Sequence, residues 1–264
     1  MTANTPYPGT QAVVRAISVL KAFTDEHPEW TLTPLAREIG LNKATTYRLL
    51  TALESEALIV RDSHSEKYRL GPGMVALGGR ALRANNLRAV SRGELETLAE
   101  ETNETASLEI LQDHEVLILH EVTGRHVMSG GRAIGTRWAA HATSTGKVLL
   151  AALPLQRLAE ILPSPLPTFT PHTIADLQAL QADLAQVRER GYAVADQELE
   201  VGLLAIGAPL RNHDGEVVAA ISVAGPTLRL TPEQIPDVAA LVREAAARIS
   251  RQLGYQALDG DSQP

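Results

Sequence analysis

TLTPLAREIGLNKATTYRLLTALESEALIVRDSHSEKYRLG, residues 31–71, is the stretch on which the fold of this chain turns. Thr33 and Pro34 open a short helix, a hydroxyl N-cap followed by proline in the first turn. Leu35, Ala36 and Ile39 give it an apolar stripe, and Gly40 ends it where a left-handed residue is needed. Asn42 caps a second helix, from about Lys43 to Ala57, with Tyr47, Leu50, Leu53 and Ala57 at helical spacing. Two helices joined by a short glycine-containing turn are the signature of a helix-turn-helix. Leu58, Val60, Tyr68 and Leu70 then alternate with polar residues on either side of Ser63-His64-Ser65-Glu66. That pattern predicts a β-hairpin directly after the second helix, and so a winged helix-turn-helix.

The side chains suit DNA. Asn42, Lys43, Thr45, Thr46, Tyr47 and Arg48 gather near the start of the second helix, where they can reach base edges and phosphates in a major groove. Arg61, Lys67 and Arg69 sit on the hairpin, placed for phosphate contact. The alternative is a small helical subdomain with solvated charges, but cap, glycine, basic face and hairpin all fall in the order a DNA reader requires.

The rest of the composition sets limits. The 264 residues suffice for two domains, and a hydrophobic content of 44% supplies material for a core. With no cysteine there is neither a disulfide framework nor a thiolate metal site. No signal-peptide run and no stretch of about 18 continuous apolar residues occurs, which predicts a soluble, cytoplasmic protein without a membrane span. The net charge of −7 is divided unevenly: ten Lys and Arg face eight Asp and Glu up to residue 85, and fourteen face 23 beyond it. Phosphate neutralisation depends on local charge, so this split permits DNA contact through the N-terminal part alone.

Moving outward, residues 1–9 read as a flexible arm and residues 10–71 as the winged helix-turn-helix domain. Thr10 caps a first helix whose Val13, Ala16, Ile17, Leu20 and Phe23 should pack on the reader helices. Gly71-Pro72-Gly73 breaks the chain before a linking helix in residues 72–86, with Val75, Leu77, Ala81 and Leu82 apolar and a break at Asn85-Asn86. Residues 87–254 alternate helices with short strands, and residues 255–264 are expected to be a disordered tail. In the second domain, Leu87 to about Glu101 and Asp176 to Arg190 read as helices, the latter amphipathic through Leu177, Leu180, Leu184 and Val187 and ended by Gly191. Strands are expected at Ser107–Leu111, Val116–Val122, Leu203–Leu210 and Val217–Ala224, and Pro163 to Pro171 reads as a surface crossover. Thr231-Pro232-Glu233-Gln234 is a capping box that opens the last helix. Strands joined by tight turns predict an α+β domain with an antiparallel sheet flanked by helices.

Within that domain, His141-Ala-Thr-Ser-Thr-Gly146-Lys147 precedes the apolar run Val148-Leu149-Leu150, which puts Thr143, Ser144, Thr145 and Gly146 at a helix N-terminus. Free N–H groups and the positive end of a helix dipole bind carboxylates or phosphates, although plain capping by Thr143 or Ser144 would leave the same pattern. It is not a P-loop: His141 stands where the first glycine belongs and Val148 where the Ser or Thr belongs.

LTPLAREIGLNKATTYRLLTALESEALIVRD together with HATSTGKVLLA (141–151) and GLLAIGAPL…AAISVAGP (202–226) resembles the IclR family of bacterial transcriptional regulators, over about residues 10–254. The resemblance implies a GAF-like effector-binding domain whose pocket is lined by the 143–146 loop and, opposite it, by Leu203, Ala205, Ser222 and Ala224. Strand period agrees, since 203 and 205 share a face, as do 222 and 224; a buried sheet face would share this pattern. Trp138 and Leu203 are expected to cover the apolar body of the ligand. One departure concerns Ala195, which occupies a position where the family usually has Asp or Ser; Asp196 is adjacent and is the candidate replacement, though neighbours on a strand point to opposite faces. The lost polar group favours an apolar or aromatic effector over a small oxo-acid. Arg211 also departs from an aromatic or His position, which nothing in the sequence explains.

Other chemistries fit less well. Eight histidines are scattered without a compact ligand pair, and His120 with His126 has only Glu121 as a nearby carboxylate, so no metal and no cofactor is expected. Ser144-x-x-Lys147 matches the nucleophile motif of serine acyl enzymes, but their SDN-like and KTG-like elements are absent. A small-molecule sensor without DNA binding is the remaining alternative. The sequence therefore predicts a non-enzymatic regulator, a homodimer or tetramer. Its expected partners are a roughly palindromic double-stranded operator, read as half-sites about one helical turn apart, and a small organic effector, carboxylate or aromatic. By resemblance, the linking helix and reader domain supply the dimer contact.

Overall fold

The computed structural model describes residues 10–84, 86–124 and 134–256. The expected arm at 1–9, the break at Asn85, His126 and the tail from 257 onward lie outside these. The chain divides into two compact units, Met1–Ala84 and Asn85–Pro264.

The first unit runs α1 (Gln11–Lys21), β1 (Glu29–Trp30), α2 (Leu32–Glu38), α3 (Lys43–Ser55), β2 (Ile59–Arg61), β3 (Tyr68–Leu70) and α4 (Pro72–Ala84). Its strands form an antiparallel sheet in the order β1-β3-β2. The core is Val19, Phe23, Leu35, Leu50, Leu53, Ile59 and Tyr68. Gly40 closes α2 at φ +66, as its place in the turn requires.

Four local expectations shift. In α1 the buried stripe is Ala16-Val19-Leu20-Phe23, while Val13 and Ile17 are exposed. The helix is apolar around much of its circumference, so two stripes satisfied the spacing, and the one carrying Phe23 buries more surface. The α2 cap is Thr31, whose carbonyl accepts from Leu35 N at 3.2 Å, and Pro34 stands at the third helical position. First-turn N–H groups have no helical acceptor, so proline costs little anywhere in that turn. Helix α3 ends at Ser55; Ala57 is exposed at φ +55. That turn moves the strand alternation by one residue, so Ile59 is fully buried while Leu58 and Val60 are only partly so, and Leu70 is exposed. Pro72 does not break the chain but is the first residue of α4, where its missing N–H is not needed.

The second unit runs α5 (Asn86–Thr102), β4 (Thr105–Gln112), β5 (Glu115–Val122), β6 (Arg137–Ala139), α6 (Ser144–Ala151), α7 (Leu155–Ile161), α8 (Leu177–Arg190), β7 (Ala193–Asp196), β8 (Leu203–Arg211), β9 (Val217–Pro226) and α9 (Ile235–Gln252). The six strands make an antiparallel sheet in the order β6-β5-β4-β9-β8-β7. Period-2 alternation sorts its two faces. Ala106, Leu108, Leu204, Ile206, Ala208, Ile221 and Val223 pack with Leu95, Leu98, Val242 and Ile249 of α5 and α9. The other face carries Ser107, Glu109, Ala205, Gly207, Ser222 and Ala224 and lies under α6. This is an α+β layer structure in which one sheet face is apolar and the other is built for polar chemistry.

Caps hold the helix ends. Asp176 accepts from Ala179 N at 2.8 Å, and Gly191 ends α8 at φ +75; Leu177 of that helix is exposed rather than buried. The Thr231–Gln234 capping box is formed, over a single 3-10 turn that leads into α9. Short edge strands β6 and β7 and helix α7 were not legible in the sequence: Ala193-Val194-Ala195 is too short and too alanine-rich to read as a strand. Tyr255, expected in the tail, is ordered: its N–H bonds Ser250 O at 2.9 Å and its ring lies 6.0 Å from the Arg211 guanidinium. Among the described residues no helix is long and apolar enough to cross a membrane.

Candidate functional site

On α3, turning about 100° per residue separates the roles of the expected DNA-contacting side chains. Lys43, Ala44, Tyr47, Arg48 and Thr51 fall within an arc of about 140° and are all exposed, Tyr47 at 48%. Tyr47 therefore shares the basic face rather than joining Leu50 and Leu53 in the core. Thr45 lies at the flank and is half-buried. Thr46 is a correction: it points opposite the arc, is fully buried and donates its hydroxyl to Asn42 O at 3.1 Å, so it stabilises the helix start and does not reach a groove. Asn42 is exposed, and its Oδ1 accepts from Thr45 N at 2.8 Å.

The hairpin is pinned at its tip by Asp62, whose Oδ1 accepts from His64 N at 2.9 Å and Ser65 N at 2.8 Å. The Ser65 bond foremost, then the His64 bond, holds this carboxyl below its usual range. Two of the three hairpin cations already have acidic partners: Arg61 with Glu66 at 2.7 Å and Lys67 with Glu29 at 3.1 Å. Arg69 is exposed and makes no ion pair among the described residues.

In the second unit, Thr143 caps α6 by accepting from Gly146 N at 3.1 Å. Ser144 and Thr145 follow as the first two helical residues, so their N–H groups lack helical acceptors. A narrow cavity, with room for about one water molecule, lies between this helix start and the sheet. Of the expected lining residues, it brings together Trp138, Thr143, Ser144, Thr145, Leu203, Ala205 and Ser222. Three others lie off it. A Cβ on Gly146 would meet Ala140 O at 2.1 Å, so this glycine allows a close backbone approach and does not face a ligand. Asp196 is exposed beside Gln197, because strand alternation turns Ala195 to the cavity instead. Ala224 packs behind the lining with Ala195, Leu203 and Ala205.

Sequence reasoning missed the most polar part of the site. Glu109, 2% exposed, lines the cavity. Its Oε1 accepts from Ser107 Oγ at 2.8 Å and its Oε2 from Thr145 Oγ1, while Ser107 Oγ also lies 2.9 Å from Ser222 Oγ. A serine and a glutamate two apart within an otherwise apolar strand were the available signal. Across the cavity, the buried Trp138 Nε1 has no hydrogen-bond partner among the described residues.

Lys147 points elsewhere. Its Nζ, on a side chain 1% exposed, lies 2.6 Å from Glu198 Oε1 and 2.9 Å from Asp183 Oδ2. Burial raises the Glu198 pKa, with Lys147 acting against that rise. An ammonium held by two carboxylates is not available as the base a Ser144 nucleophile needs. His141 is buried, bonded to Pro167 O at 2.9 Å, and burial holds its pKa below the usual value. His120 is likewise lowered, first by burial and then by Arg88 and Arg92.

The chain matches two family models: the IclR helix-turn-helix domain over residues 12–63, and the bacterial transcriptional regulator IclR C-terminal domain over residues 79–251. The HTH-type transcriptional regulator XynR of Escherichia coli K12 is 34% identical, covering 95% of this chain and 100% of that protein. The crystal structure of an IclR transcriptional regulator from Alicyclobacillus acidocaldarius superposes with TM-score 0.82 at 30% identity, covering 92% of this chain and 98% of that one. An IclR homologue from Microbacterium hydrocarbonoxydans, solved in complex with 4-hydroxybenzoate, gives TM-score 0.79 at 28% identity with the same coverage.

Proposed function

The chain belongs to the IclR family of bacterial transcriptional regulators, DNA-binding proteins with a C-terminal effector-binding domain, and from that premise we propose which of its residues perform each task. Lys43, Tyr47 and Arg48, with Asn42 and Thr45 at the flank, read a major groove. Arg69, and Arg61 and Lys67 after exchange of their acidic partners, hold the phosphates. The one-sided exposure of α3 carries this reading: base-reading and charged side chains occupy one arc, and every apolar residue of the helix core lies off it. Symmetric homo-oligomers place two such helices on a two-fold DNA site, which makes a roughly palindromic operator the expected target.

The effector site is the cavity over Ser144 and Thr145. A helix start with free N–H groups suits an anionic or polar head, and Trp138 and Leu203 suit an apolar body. The related structure bound to 4-hydroxybenzoate supports a ligand of this general kind. Selection of bound duplexes from a random pool tests the DNA half. Wild type is expected to enrich a two-fold symmetric site, and Lys43→Ala and Arg48→Ala to lose the preference at defined base pairs. An unchanged selected site in both variants would assign the reading to another element.

A further inference from the structure

The arginines of the second unit fall into two groups. Arg92, Arg137, Arg157, Arg229 and Arg248 each lie within 3.5 Å of a carboxylate oxygen. Arg188, Arg190, Arg211, Arg243 and Arg251 instead line one open cleft of about 760 Å³, between the end of α8, β8 and α9. Among the described residues Glu189 is the one acid in that lining. Of the five arginines Arg190 alone approaches a carboxylate there, Asp183, and only to 3.8 Å. Three are held by backbone carbonyls: Arg188 Nε donates to Ala151 O at 2.6 Å, Arg190 Nε to Tyr192 O at 2.7 Å and Arg211 Nη1 to Gly215 O at 2.9 Å. A carbonyl fixes a guanidinium without cancelling its charge, and leaves its other N–H groups for another acceptor. Arg243 and Arg251 are exposed and make no ion pair or side-chain hydrogen bond among the described residues. The helix dipole accounts for basic residues in the last turns of α8 and α9, but not for Arg211 on β8 or Arg243 in mid-α9. Arg211, unexplained by sequence alone, has its place here.

We propose that this cleft binds a small polyphosphate, an anion carrying two or more phosphate groups, as a second ligand of the protein. Five guanidiniums against one carboxylate leave an excess of four positive charges. A phosphate group carries about −1.5 to −2 at neutral pH, so two or three of them match that excess where a single carboxylate does not. Planar guanidinium forks pair with phosphate oxygens two bonds at a time, and the described lining contains no lysine. The rest of the unit sharpens the contrast: five of the fourteen Lys and Arg beyond residue 85 lie here, against one of the 23 Asp and Glu. Like charges gathered in one cleft repel, so a polyanion relieves a cost that the folded chain otherwise carries. Arg188 bonds the last residue of α6, whose first residues line the narrow cavity described above. The cleft and that cavity therefore sit at opposite ends of one short helix.

The test is calorimetry on the full chain without divalent cations, at about 0.15 M ionic strength, where distant charges are screened. The probes are inorganic tripolyphosphate, ATP, citrate and a hexa-aspartate peptide. Tripolyphosphate or ATP is expected to bind saturably, and at least about tenfold more tightly than citrate or the peptide. Whichever of the two binds more tightly names the source, a bare chain of phosphates or a nucleotide. Arg243→Ala combined with Arg251→Ala removes two exposed side chains that hold nothing in the described fold, and should weaken that binding at least about tenfold. The DNA-reading face is a competing basic surface, so Lys43→Ala combined with Arg48→Ala serves as the control and should bind tripolyphosphate as wild type does. No saturable polyphosphate binding, or citrate bound as tightly, overturns the proposal. So does binding that survives loss of Arg243 and Arg251, or that is lost with Lys43 and Arg48. The peptide bound more tightly than either polyphosphate would overturn it in favour of an acidic protein partner.

Discussion

The Lys147 ammonium lies 2.6 Å from the Glu198 carboxylate, joining the helix that carries Ser144 and Thr145 to the turn that carries Leu199 and leads to Leu203. Asp183 of α8 completes the cluster at 2.9 Å. Both walls of the cavity are therefore fixed by a single buried cation. Lys147→Met leaves two carboxylates facing each other in a low-dielectric site and should destabilise the domain by about 3–5 kcal/mol. Glu198→Gln leaves Lys147 paired with Asp183 and should cost less, about 1–2 kcal/mol. Urea unfolding at neutral pH checks the order; a larger loss for Glu198→Gln would show that Lys147 is not the hub.

On α3, neighbouring residues should part company. Arg48→Ala is expected to weaken operator binding by about 1–3 kcal/mol with relaxed preference at one base pair, and to leave stability within about 0.5 kcal/mol. Thr46→Val should do the reverse: lower stability by about 1 kcal/mol through the lost bond to Asn42 O, with operator selectivity unchanged. Thermal unfolding and fluorescence anisotropy on the same samples read both.

The hairpin cations should rank by their existing partners. Arg69 has no ion pair to give up among the described residues, so Arg69→Ala should reduce the salt slope of operator binding by about one. Lys67→Ala should have a smaller effect, because Lys67 must leave Glu29 to meet a phosphate. By the same argument Glu29→Gln should tighten binding. A Lys67→Ala effect equal to that of Arg69→Ala would show that the Glu29 pair does not compete.

Acid should destabilise the second domain through its histidines. Burial keeps the folded-state pKa of His141 below its unfolded value, about 6.5. Below that pH the unfolded chain binds a proton that the folded protein refuses, so the stabilising contribution present above about pH 6.5 is lost as pH falls through the folded value. The slope for His141 alone is at most about 1.4 kcal/mol per pH unit. His120 adds in the same direction. Unfolding followed from pH 7.5 downward should show a shallower decline in His141→Gln than in wild type; an identical decline would assign the acid sensitivity elsewhere.

What the sequence revealed, and what it concealed, follows from the range of the interactions. Asn42, Gly40, Asp176 and the Thr231–Gln234 box act within one turn of backbone, so their roles could be read directly from residue order. The inward residue of β2 could not: a positive-φ Ala57 shifts the alternation by one, and alanine gives no warning of that turn. Glu109 was overlooked because its partner Thr145 is 36 positions away, and Ser222, which bonds its other partner Ser107, is 115 positions from that serine; only the tertiary fold brings them together. Asp196 was a plausible replacement for the acid missing at Ala195, but strand alternation had already turned it outward.

The most direct measurement of the account is the response of operator binding to ligand in wild type and in Ala205→Phe. A labelled duplex taken from the selection is titrated with each protein, with and without the tightest-binding acid from a calorimetric screen of small organic acids; Ala205→Phe puts a bulky ring into the cavity lining. The account predicts that ligand changes wild-type affinity by about 5–150-fold, the usual range of coupling between two sites. It predicts that Ala205→Phe binds the duplex as wild type does and ignores the ligand. An Ala205→Phe protein that binds the duplex and still responds fully to the ligand would contradict it.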